Sequence, residues 1–128
     1  MEDVTDRLHP GLVGELEAEV TEGMLAPGGR RVLSTPAMIG LMEGAANRAV
    51  EHLLPEGWLT VGYLVNVRHL AAAPLGSVVR ARAELTEVDG RRLVFKVEAW
   101  QGDKKVGEGT HERRVVELKR FLERAAAK

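Results

Sequence analysis

The sequence predicts an α+β fold, a hydrogen-bonded antiparallel sheet of about five strands wrapped around one long central helix. Three observations carry this expectation. Apolar and polar side chains alternate with period two in several separate segments. One stretch carries a helical period behind a Ser34-Thr35-Pro36 start. The later strands are joined mainly by hairpin turns, which favours antiparallel pairing.

Each element has its own signal. Residues 12–23 alternate Glu15, Glu17 and Glu19 with Leu16, Ala18 and Val20, a strand with one wet face. Pro27, Gly28 and Gly29 then keep residues 26–31 out of regular structure. At the helix start Ser34 or Thr35 can cap, and Pro36 suits the first turn because its missing amide has no intrahelical partner there. The apolar stripe runs through Met38, Ile39, Met42, Ala45, Ala46, Ala49, Val50, Leu53 and Leu54, with Asn47, Arg48, Glu51 and His52 opposite. Pro55-Glu56-Gly57 ends the helix. Gly40, Gly44 and the alanines of the stripe let a sheet approach closely.

In the next strand Leu59, Val61, Tyr63, Val65, Val67 and His69 are expected on one face, opposite Thr60, Gly62, Asn66 and Arg68. Val79, Ala81, Ala83 and Leu85 form the inner row of a third strand, and Asp89-Gly90 signals a tight hairpin into Leu93, Phe95, Val97 and Ala99. A last strand covers residues 104–116, although Gly107 and Gly109 weaken its pattern. Residues 117–127 read as a short amphipathic helix. The order strand, helix, four strands is that of a hot-dog arrangement in a single domain over residues 1–128. Its unpaired sheet edge is expected to be covered by a second subunit, giving a homodimer or a higher oligomer.

Composition narrows the function. With 18 basic and 19 acidic side chains and a net charge of −1, the chain has no broad positive field, so nucleic acid is not an expected partner. Cysteine is absent, which removes thiolate chemistry and cysteine-held metal; His9, His52, His69 and His111 lack metal-ligand spacing, so no metal is expected. The acidic start Met1 to Arg7 and the lack of any long apolar run point to a cytoplasmic chain with no membrane partner.

Three polar residues fall on otherwise apolar faces. Glu43 shares its helical row with Ile39, Ala46 and Val50, where a carboxylate is costly unless paired, and where burial would raise its pKa. A stripe-edge glutamate that reaches water is an equal alternative. His69 ends an inward strand row, where a satisfied core histidine is the commoner outcome. Thr35 serves either as a helix cap or as a hydroxyl beside unpaired helix-start amides. Together they supply the hydroxyl, carboxylate and imidazole of general-base acyl transfer.

The stretch Ser34-Thr35-Pro36-Ala37-Met38-Ile39-Gly40-Leu41-Met42-Glu43, with Thr60-Val61-Gly62 and Val67-Arg68-His69-Leu70-Ala71-Ala72-Ala73-Pro74, resembles the fluoroacetyl-CoA thioesterase family of hot-dog proteins. The resemblance implies a catalytic set of Thr35, Glu43 eight residues on, and His69 a further twenty-six on. It also implies a substrate-side glycine at Gly62, and Pro36 beside the threonine is a second candidate substrate contact. The implied activity is hydrolysis of a small or medium acyl-CoA at the thioester, with no cofactor beyond the CoA of the substrate. The family's fluoroacetate-specific member gates its pocket with a phenylalanine before the threonine, whereas residues 25–33 here contain no aromatic, which speaks against fluoroacetyl specificity. Arg30, Arg31, Arg91, Arg92, Arg113 and Arg114 are candidates for the CoA phosphates, with solvated surface charge the commoner role. The alternative functions are a non-catalytic acyl-CoA or acyl-carrier binding protein and a hydroxyacyl-thioester dehydratase.

Overall fold

The structure, a computed structural model, describes residues 3–127, so Met1 and Glu2 of the acidic start and the terminal Lys128 lie outside the described residues. Its elements are β1 (Val13–Glu19), α1 (Thr35–Val50), β2 (Trp58–His69), β3 (Val78–Asp89), β4 (Arg92–Gln101), β5 (Lys104–Glu117) and α2 (Leu118–Ala126), with single 3₁₀ turns at Glu22–Met24 and Glu51–Leu53. The strands form one sheet in the order β1-β3-β4-β5-β2, antiparallel throughout. Its concave face wraps α1, the arrangement expected from the sequence.

The core follows the alternation. Val79, Ala81, Ala83 and Leu85 of β3 and Leu93, Phe95, Val97 and Ala99 of β4 are all inaccessible to solvent. They meet Met38, Met42, Ala45, Ala46, Ala49 and Val50 of α1. Gly14 shows why small residues recur on both sides: a Cβ there would overlap the Ala45 carbonyl and the Ala49 amide, so β1 lies directly against the helix backbone. Ser34 is the helix cap, its Oγ accepting from the Ala37 amide at 3.1 Å. That leaves the Thr35 hydroxyl for other work.

Several expectations need correction. The first strand ends at Glu19 rather than running to residue 23, because Thr21 starts a 3₁₀ turn. The α-helix ends at Val50, short of Pro55, and tightens into the turn at Glu51–Leu53. Gly107 and Gly109 do not interrupt β5; they let it pass close to Met38 and to Val67.

The largest correction concerns β2. A β-bulge between Gly62 and Leu64 shifts its register against β5. Thr60 and Gly62 therefore pair with Val115 and Arg113 on the helix side, and beyond the bulge Val65, Val67 and His69 pair with His111, Gly109 and Gly107 on that same side. Leu59, Val61 and Tyr63 do not share the His69 face. A continuous period-two reading fails here because the chain holds one residue more than its partner strand at Tyr63.

Among the described residues no helix is long and apolar enough to cross a membrane, and no cluster of three metal-ligating side chains occurs.

Candidate active site

Two polar stations lie where α1 faces β2. The first joins the helix start to the end of the strand. Thr35, freed from capping by Ser34, places its Oγ1 2.7 Å from His69 Nδ1. The other ring nitrogen, Nε2, is enclosed and has no hydrogen-bond partner. Thr35 also begins the helix, where unpaired amides give a partial positive charge that favours developing negative charge. A cleft of about 300 Å³ opens beside this pair, with Val32, Leu33, Leu70, Ala71 and Ala72 as its aliphatic walls.

The second station lies two helical turns further, about 12 Å along the axis. Glu43 faces Gly62, where a Cβ would crowd its Oε2 and push the carboxylate aside. Arg113 Nη1 donates to Glu43 Oε2 at 3.1 Å. The guanidinium is only 5% exposed and is fixed by Thr60: Nε donates to Thr60 Oγ1 at 2.8 Å and Nη2 to the Thr60 carbonyl at 3.0 Å. Thr60 in turn donates to Asn47 Oδ1 at 2.6 Å.

His111 completes this network. Its Nδ1 lies 2.8 Å from the Leu64 carbonyl, which can only accept, so Nδ1 carries hydrogen. Nε2 then accepts from Arg113 Nη1 at 3.1 Å. Burial above all, and then the Arg113 charge, push the His111 imidazole below its ordinary value and keep it neutral, while the Leu64 carbonyl and Glu43 oppose the shift. Burial works against the Arg113 charge as well, offset by the nearby Glu43 carboxylate.

The candidates from the sequence thus divide. Thr35 meets His69. Glu43 meets Gly62 but is bound to Arg113, not to His69. Its side chain is 39% exposed in the protomer, on the flank of the stripe rather than inside it. Pro36 is exposed in the first turn of α1, next to Thr35. Asn47, assigned to the outer side of the helix, turns toward β2 instead.

His111 was not among the expected site residues, and Arg113 was expected only as a candidate for the CoA phosphates, not as the partner of Glu43. Their signal was available, since positions 109, 111, 113 and 115 form one row of β5, and an arginine and a histidine in a row with buried Val115 require partners. For the same reason Arg113 and Arg114 cannot serve one phosphate together: they face opposite sides of the sheet. Arg92 is likewise committed, to Glu87 and to Glu112, the latter at 2.9 Å.

Comparison with known proteins shows the family and the fold. Residues 16–119 match the profile of the fluoroacetyl-CoA-specific thioesterase family. The chain belongs to that family. It is 44% identical over 90 residues to the fluoroacetyl-CoA thioesterase of Streptantibioticus cattleyicolor, a stretch that covers 70% of this chain and 65% of that enzyme. The chain therefore spans just under two thirds of that relative's length. A solved fluoroacetyl-CoA thioesterase superposes with a TM-score of 0.87 at 33% identity, covering 94% of this chain and 98% of the other. A variant of such an enzyme has been solved with fluoroacetate and CoA. A thioesterase superfamily member from Thermus thermophilus matches over the full length of both chains, with a TM-score of 0.81 at 27% identity.

Proposed function

We propose that this member of the thioesterase family is a cytoplasmic, metal-free and cofactor-free acyl-CoA hydrolase that works as a homodimer. The observation that carries the chemistry is the 2.7 Å contact between Thr35 and His69. A threonine hydroxyl is a weak nucleophile unless a base takes its proton, and an imidazole nitrogen in direct contact can do so. In this mechanism Thr35 Oγ1 attacks the thioester carbonyl while Nδ1 of His69 accepts its proton. Collapse of the tetrahedral species breaks the C–S bond, and His69 returns that proton to the departing CoA thiolate. Water then cleaves the acyl-threonine, with Glu43 taking its proton, which is passed back to Thr35 as the ester breaks. The products are a carboxylate and CoA. The positive end of α1 supports the negative charge on the carbonyl oxygen.

Dimerisation answers the separation of the stations. β2 is the last strand of the sheet, and on it Tyr63, Leu64 and Val65 are exposed, Tyr63 by 64%. Two such edges pairing antiparallel about a two-fold axis near Val65 would, with the bulge taking up one residue, set Gly62 opposite Val67 of the partner subunit. That places the Glu43 station of one protomer next to the Thr35–His69 station of the other. The aliphatic cleft beside His69 and the lack of an aromatic in residues 25–33 favour a small or medium alkyl acyl group over fluoroacetyl.

Thiol release from a panel of acyl-CoAs of graded length tests the activity. Release of CoA with a clear chain-length optimum is expected, whereas tight binding without turnover, or enoyl formation from a hydroxyacyl-CoA, overturns it. Mixing Glu43→Gln and His69→Ala protomers tests the shared site. Each mixed dimer then contains one intact site, and about a quarter of wild-type activity is restored. No recovery in mixed dimers would place the whole site within one protomer.

A further inference from the structure

The hydrogen bonds behind Glu43 end on a residue that the apolar stripe of α1 does not explain. Asn47 lies one turn beyond Glu43 on the same helix, in the same i, i+4 row. Its Oδ1 accepts from Thr60 Oγ1 at 2.6 Å. Thr60 in turn accepts Arg113 Nε at its hydroxyl and Nη2 at its carbonyl, which leaves Nη1 for Glu43 and His111. The directions of these protons are forced. A guanidinium can only donate, so Thr60 Oγ1 accepts from Arg113 and has its one hydrogen left for Asn47. Thr60 is 5% exposed, and an Asn47 amide turned the other way would leave that hydrogen buried without an acceptor. On the opposite flank the Leu64 carbonyl fixes His111, whose Nε2 takes the second hydrogen of Nη1. The guanidinium is thus clamped from two sides, and the Asn47 side ties it back to the helix that carries Glu43.

We propose that Asn47 is a positioning residue for thioester hydrolysis: acting through Thr60 and Arg113, it sets where the Glu43 carboxylate points, an inference that rests on the acyl-CoA reading above. A carboxylate that takes a proton from water must keep one oxygen aimed at that water, and small errors of aim are costly in rate. Glu43 is half-open to solvent, and its Oε2 is held by the Arg113 guanidinium. The aim of that guanidinium depends on the lone pair that Thr60 Oγ1 turns toward Nε. Without an acceptor at position 47 the hydroxyl is free to rotate, and the fixed lone pair is lost. Because Asn47 and Glu43 share one helix, the loop of contacts closes on itself, and α1 and β2 cannot shift against each other without breaking it.

The test uses Asn47→Leu in the full chain, which keeps a good helix former at that place and removes the acceptor. Its kcat for an acyl-CoA is expected to fall about 10- to 100-fold with KM nearly unchanged. Thr60→Val should show the same loss and Thr60→Ser, which keeps the hydroxyl, close to the wild-type rate. Combining Asn47→Leu with Thr60→Val should add nothing, since both break one series of bonds. In a Glu43→Gln background Asn47→Leu should likewise cause no further loss of kcat. Wild-type kcat in Asn47→Leu, with only Tm lowered, makes the tie structural and overturns the proposal. An undiminished loss in the Glu43→Gln background also overturns it, because Asn47 would then act on the substrate and not through the carboxylate. One readout needs no turnover: the Arg113 Nε proton, followed by NMR, should exchange with water about tenfold faster in Asn47→Leu than in wild type. Equal exchange rates overturn the proposal whether or not the protein hydrolyses a thioester, so the two readings fail separately.

Discussion

The β3–β4 half of the sheet and the β2–β5 half cover the same helix with opposite chemistry. Against α1, β3 and β4 present only aliphatic and aromatic side chains, all sealed from solvent. β2 and β5 present Thr60, His111 and Arg113, each buried and each satisfied by a specific partner. An apolar wall is insensitive to small changes of orientation, since burial is non-directional. A polar wall holds only when every donor meets its acceptor. Stability resides mainly in the β3–β4 half and chemistry in the β2–β5 half, and each can be disturbed separately.

The largest expected effect is on chemistry. His69→Ala or Thr35→Ala should lower kcat/KM by about 10²–10⁴-fold with little change in Tm, because neither side chain belongs to the apolar core. Thr35→Ser should keep most of the rate. Measured thiol release together with thermal melts checks both, and a large Tm loss in either alanine variant would erase the distinction between the halves.

Phe95→Ala should do the reverse. Removing a sealed phenyl ring at the centre of β4 costs about 3–5 kcal/mol of unfolding free energy, read from the urea midpoint, while the surviving folded fraction keeps its specific activity. Arg113→Met is intermediate. It strips the Thr60 carbonyl and hydroxyl of their donor, at a cost of about 1–3 kcal/mol, and releases Glu43 from its tether. Activity should therefore fall further than stability does, seen as a loss of kcat at temperatures well below the melt.

The smallest effect is a pH slope. His111 is held neutral in the folded protein, with a pKa below the 6.5 of the free side chain. Above that value neither state takes up its proton and its contribution is fully present. As pH falls below it, the unfolded chain binds the proton first, so this part of the stability is lost through the folded pKa. The Tm drop between pH 7 and pH 5 should be smaller in His111→Gln than in wild type, and equal slopes would show that His111 carries no linkage.

The same contrast explains what was legible in the sequence. Residues 79–85 of β3, residues 93–99 of β4 and the buried stripe of α1 could be read residue by residue because one period runs through each of those stretches, whereas the shift after Leu85, the end of α1 at Val50 and the turn of Asn47 toward β2 break that period. The Thr35, Glu43 and His69 spacing was visible too. The order in which they combine was not, since distance along a helix separates Thr35 from Glu43 and only coordinates show Arg113 taking the carboxylate. The faces of β2 were misread because nothing in Gly62-Tyr63-Leu64 marks a bulge: tyrosine and leucine both fit a regular strand. Arg113 was hidden by its neighbour, as a pair of adjacent arginines looks like surface charge until strand alternation sends them to opposite sides.

That single supernumerary residue at Tyr63 acts as a phase shifter. With Tyr63 kept but the bulge absent, an unbroken pleat that aims His69 toward α1 would turn position 62 outward and direct a bulky tyrosine at Glu43. One extra residue thus lets an edge strand show two unlike surfaces in sequence, a tolerance that simple lengthening of the strand would not provide. Flattening the bulge with every residue kept would invert half the wall while leaving composition and length untouched.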